Sequence, residues 1–311
     1  MNACSAPPTA CDALCIGGIN LDRKLKALEA LHSGSSNPCA ASESPGGVAR
    51  NVVENLARLG LRVSLWGQIG RDAAAGAVLK PLRELGVETG SCMVNDAGHT
   101  GSYTALLDSH GQLVMGMADM VLTEMLTPEL LEPVIAVQNA KLWMADMNLP
   151  AISLAWLARQ AQAREQRLVM LAVSDPKMRR LPRDLRGVDT LVLNVGELAA
   201  LGLPPNEIEV AFGKLHAQGL QRLVVTMGER GVKCMDYGQT QAVHVIPAIP
   251  QGLEIVDVSG AGDAFCAGLC ASFLRYAEDT LAQHVQRAMM LSVLTVQSAS
   301  TVSTAITPDL I

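Results

Sequence analysis

The chain has 311 residues, 49% of them apolar and 17% charged, and a net charge of −6. That composition supports a sizeable core and excludes a disordered chain. The acidic balance, with no cluster of basic residues, argues against nucleic acid as a partner. No apolar stretch is long enough to span a membrane, and residues 1–9 lack the basic segment and apolar core of a signal peptide. A cytoplasmic protein is therefore expected. The eight cysteines include no Cys-x-x-Cys pair and read as reduced structural thiols, with Cys266 and Cys270 on one helix face. The six histidines are scattered, none at ligand spacing, and read as surface or loop residues.

In chain order, apolar runs at 13–16, 142–145, 168–173, 191–193 and 223–225 read as fully buried strands. Amphipathic helices such as 52–59 and 152–164 lie between them. Alternating buried strands and helices imply a parallel sheet covered on both faces. The runs end in polar or glycine-containing tips: Asn20-Leu21-Asp22, Asp146-Met147-Asn148, Asp175-Pro176, Asn194-Val195-Gly196-Glu197 and Thr226-Met227-Gly228. Ligands of open parallel sheets bind beyond the carboxyl ends of the strands, so these tips are expected to converge on one site. Two stretches break the rhythm. Residues 21–45 are polar, and residues 99–118 alternate like a hairpin turning at Asp108-Ser109-His110-Gly111. Together they predict a small sheet over the strand tips, a lid that keeps water out. An apolar row of Tyr103, Ala105 and Leu107 leaves a homodimer through this hairpin open.

Asp257-Val258-Ser259-Gly260-Ala261-Gly262-Asp263 precedes an apolar run at 264–274 that predicts a buried helix. A glycine-rich helix start presents unpaired N–H groups at the positive end of the helix dipole, a geometry that binds phosphate. Asp263 would repel that anion, so its role there is to take a proton from an attacking hydroxyl. Taken alone, the motif fits a helix cap as well as it fits a phosphoryl-transfer site. It is not a Walker A loop, because it has no lysine, and Phe265 stands where a dinucleotide fingerprint needs its third glycine.

The chain resembles the ribokinase-like (PfkB) carbohydrate kinases over nearly its full length. Pro45-Gly46-Gly47-Val48-Ala49-Arg50-Asn51, followed by Asn55, resembles the N-terminal signature of that family, and 257–263 its C-terminal one. Asn194-x-x-Glu197 and Thr226-Met227-Gly228-Glu229-Arg230-Gly231 match two further elements in the expected order. The resemblance implies one α/β domain over 1–311: a mostly parallel sheet flanked by helices as an α/β/α sandwich, with a small β lid inserted at about 21–45 and 99–118. It implies Asp263 as general base and the N–H groups of Gly260, Ala261 and Gly262 as the anion hole for an ATP γ-phosphoryl group. Asn194 and Glu197 would organise Mg²⁺ through water; Asn194 also suits a helix N-cap, a role that can coexist with catalysis. Asn194, Thr226 and Gly228 would hold the nucleotide, and Asn20, Asp22, Gly46, Gly47 and Asn51 the sugar. Carboxylate and amide groups grip vicinal hydroxyls, and paired glycines let backbone approach a ring. A K⁺ beside the loop is implied at Asp257 and Ser259, but the later loop at 298–303 lacks the Gly-Ala often found there.

Segments 47–51, 100–108, 118–120 and 145–148 are most similar to pseudouridine kinases. The implied reaction is phosphorylation of the 5′-hydroxyl of pseudouridine. Thr100, Ser102 and Asp119 would read the uracil edge, and Asp146 would join the substrate contacts. A different sugar or nucleoside acceptor, or a non-catalytic binding relative, is the alternative.

Overall fold

Alternation along the strands sets the layers. In the first strand, β1 (Cys11–Ile16), Ala13 and Cys15 enter one apolar cluster, and Leu14 and Ile16 the other. The structure, a computed structural model, describes residues 10–237, 244–246 and 254–311; the 1–9 segment read for a signal peptide lies outside these. After β1 come β2 (Asn20–Ala27), β3 (Cys39–Gly46), α1 (Val48–Arg58), β4 (Val63–Trp66), β5 (Gln68–Ile69), α2 (Ala73–Glu84) and β6 (Met93–Val94). The hairpin β7 (Gly101–Leu107) and β8 (Leu113–Asp119) leads into α3 (Val121–Glu124), α4 (Pro128–Val137), β9 (Ala140–Asp146) and α5 (Ala151–Ala163). Next are β10 (Arg167–Leu171), β11 (Thr190–Asn194), α6 (Val195–Ala200), α7 (Ile208–Ala217), β12 (Arg222–Thr226), β13 (Val232–Asp236) and β14 (His244–Ile246). Two helices, α8 (Ala261–Arg275) and α9 (Leu281–Val296), follow.

The main sheet has eight strands in the order β14-β13-β12-β11-β10-β9-β1-β4, antiparallel only where β13 joins β12 and β14. Each parallel strand divides its residues between two cores. Leu142 and Met144 of β9 face α1, α2, α8 and α9, whereas Trp143 and Ala145 face α4, α5, α6 and α7. Both faces are dry, which explains why these strands read as continuous apolar runs. Among the described residues no helix is long and apolar enough to cross a membrane.

The two irregular stretches form one four-stranded sheet, β3-β2-β7-β8, in which β2 pairs antiparallel with β3 and parallel with β7. The Asp108 carboxylate accepts the N–H groups of His110 (2.9 Å) and Gln112 (2.8 Å), which closes the β7–β8 turn.

One composition-level expectation is corrected. His284 is a core residue on α9, not a surface one: it is 4% exposed, its Nδ1 lies 2.7 Å from Ser272 Oγ, and its ring packs edge-on to Phe273. A hydroxyl and an aromatic partner from α8 satisfy the imidazole, and burial pushes its pKa down to about 4.

Candidate active site

Parallel pairing aligns the carboxyl ends of β1, β9, β10, β11 and β12 along one edge, so the tips lie together as expected. The centre of this edge is held by Asp146, at the end of β9. Its Oδ2 accepts the N–H groups of Gly18 and Ala49, each at 2.8 Å, and its Oδ1 accepts that of Asn148 at 2.8 Å. Asp146 is fully buried, and burial pushes its pKa up against those bonds. The side chain expected to touch substrate is therefore committed to backbone. It ties the turn after β1 to the start of α1, the helix that carries Asn51.

Asp263 stands in the first turn of α8. The helix starts at Ala261, so Gly260 is its N-cap and the glycine-rich turn is part of the helix start. Gly260 has φ 79°, and a Cβ there would sit 2.0 Å from the Thr301 carbonyl oxygen. The Ala261 N–H goes to Val258 O at 3.3 Å. Among the described residues those of Gly260, Gly262 and Asp263 meet no acceptor, so the N–H groups left without a partner are 260, 262 and 263 rather than the expected 260, 261 and 262. Asn51 Nδ2 donates to Asp263 Oδ2 at 2.8 Å, joining α1 to α8. Burial pushes the Asp263 pKa up to about 7; the Asn51 bond and Arg50 pull down, and Asp146 and Asp22 push up. A carboxyl poised there can accept a proton near neutral pH.

The lid sheet meets this turn through β2. Asn20, Asp22 and Lys24 alternate onto one face, and Lys24 Nζ contacts Asp257 Oδ2. Asn20 Nδ2 donates to Asp22, whose pKa burial raises to about 6. Gly46 and Gly47 leave room for these groups: a Cβ on Gly46 would strike the Asp22 carboxylate at 2.3 Å, and one on Gly47 the Gly18 carbonyl oxygen at 2.4 Å. Asn20, Asp22, Gly46, Gly47, Asn51 and Asp263 thus form one chamber.

Three residues expected to read a base do not join it. The Thr100 hydroxyl donates to Asp72 Oδ1 (2.7 Å) and accepts the Gly70 N–H (3.0 Å), bracing the N-cap of α2. Ser102 pairs with Leu21 and Asp119, which puts Ser102 and Asp119 on the face opposite Asp22, and Asp119 is exposed. Alternation was visible in the sequence, but the neighbour of each strand was not. The same register turns Tyr103 and Ala105 inward, because they pair with Asp22 and Lys24. Among the described residues the exposed large apolar side chains of the hairpin are instead Leu113, Val114, Met115 and Met117.

Beside the α8 start lies an apolar cavity of about 220 Å³ lined by Thr226, Gly228, Val258, Phe265, Met289 and Val293. Sequence reading placed Thr226 and Gly228 there but missed the α9 contribution, Met289 and Val293, which carries no motif. Asn194 and Glu197 form a complete capping box: Asn194 Oδ1 accepts the Glu197 N–H (2.9 Å), and Glu197 Oε2 accepts the Asn194 N–H (2.8 Å). The cap uses Glu197 Oε2, and among the described residues Oε1 has no hydrogen-bond partner. Burial, and then the neighbouring Asp175, push the Glu197 pKa up. Among the described residues no group of three or more His, Cys, Asp or Glu could hold a metal directly. Two neighbouring carboxylates with hard oxygen donors fit a Mg²⁺ held through water. The cation implied at Asp257 and Ser259 fits less well. Lys24 and the Ser259 N–H already occupy the Asp257 carboxylate, and a second positive charge beside that ammonium would be repelled.

The family profile described as pfkB family carbohydrate kinase matches residues 12–308. A pseudouridine kinase of Escherichia coli (strain K12) is 31% identical over 264 residues, 83% of this chain and 82% of that protein. A carbohydrate kinase structure from Agrobacterium tumefaciens is 30% identical, covers 96% of this chain and 95% of its own, and superposes with a TM-score of 0.79. Arabidopsis thaliana ribokinase, solved with ribose and ATP, shares the fold at 20% identity and a TM-score of 0.80, over 95% of this chain and 96% of its own.

Three outcomes test the site. Asp146→Ala strands the N–H groups of Gly18, Ala49 and Asn148 in a dry interior and lowers unfolding free energy by about 3 kcal/mol or more, read by urea denaturation. Gly260→Ala forces a side chain into the left-handed region and against Thr301, and costs about 2 kcal/mol or more in the same assay. Folded Asp263 keeps its proton up to about pH 7, whereas a free carboxyl loses it near the ordinary value of 3.8. The folded state is therefore penalised progressively between those values and most above 7. Asp263→Asn removes that penalty: its melting temperature exceeds the parent's at pH 8, and calorimetry finds the gap closing towards pH 4.

Proposed function

The chain belongs to the pfkB family of carbohydrate kinases, phosphotransferases that act on a sugar or nucleoside hydroxyl, and we propose that it transfers the ATP γ-phosphoryl group to the 5′-hydroxyl of pseudouridine. The observation that carries the reading is the pairing of Asp263 with free N–H donors on one helix start, beside the Asn51 amide. The similarity to a pseudouridine kinase over most of both chains supports the acceptor.

In this reading Asn20 and Asp22 hold ribose hydroxyls, and Gly46 and Gly47 let the ring lie against backbone. Asp263 removes the proton of the attacking hydroxyl as its oxygen forms the new bond to phosphorus and the bond to ADP breaks. The N–H groups of Gly260, Gly262 and Asp263 take up the charge on the transferred phosphoryl oxygens without reorganising. The apolar cavity beside Thr226 and Gly228 takes the adenine end of ATP. Glu197 and Asp175 would hold Mg²⁺ through water, which when bound would neutralise triphosphate charge. The four-stranded sheet acts as the lid that keeps water from accepting the phosphoryl group. A homodimer through that sheet would use its outer row, Met115 and Met117.

A free sugar is the second reading, favoured by the 30% identity to the Agrobacterium tumefaciens carbohydrate kinase. ADP release across pseudouridine, uridine, adenosine, ribose and fructose separates the two. The highest kcat/KM is expected with pseudouridine, and a hexose in first place removes the nucleoside reading. Asp263→Ala lowers kcat by about 10²–10⁴-fold; a rate near the parent's would show that another group takes the proton.

A further inference from the structure

We propose that Arg50 is a positioning residue for the transfer step: its guanidinium decides which way round the Asn51 amide sits, and so aims the Asn51 N–H at Asp263. This rests on the reading of Asp263 as the base. Arg50 Nη1 donates to Asn51 Oδ1 at 3.1 Å, while Asn51 Nδ2 donates to Asp263 Oδ2 at 2.8 Å. An amide turned the other way would set its NH₂ against the guanidinium and its oxygen against the carboxylate. Donor would then face donor, and acceptor face acceptor. With Arg50 in place, one orientation satisfies both ends.

The guanidinium is itself fixed. Its Nη2 meets Glu54 Oε2 one helical turn on, and Glu54 Oε1 receives Arg58 Nε (3.0 Å) and Nη2 (2.7 Å). Arg50, Asn51 and Glu54 are 2%, 4% and 5% exposed, so the chain of contacts from Arg58 to Asp263 runs almost entirely out of water. Stability offers no reason for a charge at this position. Among the described residues Arg50 Nε has no partner, and a buried ion pair is often no more stable than apolar side chains of the same volume. Such a side chain is explained by what it orients.

Its charge also reaches the base. The groups that act on Asp263 are Arg50 and Asn51 on α1, Asp22 on β2 and Asp146 on β9, with Cys266 one turn along its own helix. Arg50 supplies the positive charge in that set, and it opposes burial and two carboxylates. The residue therefore has two separable effects, direction and charge.

Two variants separate them, each assayed for kcat, KM and the acidic limb of the pH–rate profile with ATP and whichever acceptor of the panel is best. Arg50→Met removes both effects: kcat falls on the order of 100-fold, the acidic limb moves to higher pH, and KM for ATP stays at the parent value. Arg50→Lys keeps the charge but cannot bridge Asn51 and Glu54 with one planar fork, so kcat falls while the limb stays in place. A folded Arg50→Met protein with the parental kcat, or with the parental limb, overturns the proposal. Should Arg50→Met fail to fold, Arg50→Lys decides alone: a parental kcat overturns the proposal, and a reduced kcat with an unmoved limb supports it. Asp263→Asn is run alongside. If that variant keeps parental activity, the base reading itself is wrong; if it is inactive while both Arg50 variants behave as the parent, only the Arg50 proposal fails.

Discussion

The first turn of α8 is the constraint on which the rest of the site depends. Residues 264–273 of this helix are buried, so the helix cannot move to accommodate a ligand. Its opening N–H groups still have no carbonyl to bond, because none precedes them in the helix. Gly260 meets that problem by turning the chain left-handed under Thr301, and among the described residues three N–H groups, those of 260, 262 and 263, are left without an acceptor beside a carboxyl. Burial of Asp263 there raises its pKa and so has a cost in stability at neutral pH.

The surrounding charges fall into two kinds. Asp146 and the Asn194–Glu197 box bind backbone N–H groups and set where turns and helices begin. Asp22, Asp263 and Lys24 sit where lid strand and helix start meet, and they carry the field of the chamber. Both kinds are carboxylates or their partners at strand ends, and the sequence does not tell them apart. Separating them takes a count of the N–H groups that each carboxylate already accepts.

Fold and chemistry were legible to different depths. Apolar runs announced the parallel strands, because a strand buried on both faces has no polar positions to confuse the reading. The hairpin turn was legible from Asp108 and Gly111, and the turn at the start of α8 from its glycines. The lid's inner face was not legible. Tyr103, Ala105 and Leu107 form an apolar row, but the row faces the chamber because β7 lies parallel to β2, a pairing between segments some eighty residues apart. His284 and Arg50 were missed for a related reason. Each is polar in the sequence and buried in the fold, and the partners that make burial tolerable come from a neighbouring helix or the next helical turn.

By itself the sequence determined the α/β layering, the order of the strand tips, and the glycine turn at the start of a buried helix. Each of these depends on local periodicity or on a short motif whose geometry is set within a few residues. Only the tertiary structure decided which polar tip residues face the chamber and which are spent on backbone. It also decided that α9 helps line the apolar cavity, and that the glycine turn keeps the N–H groups of 260, 262 and 263. Those outcomes depend on register and on hydrogen bonds between distant segments, where one residue's shift exchanges a chamber wall for a solvent face.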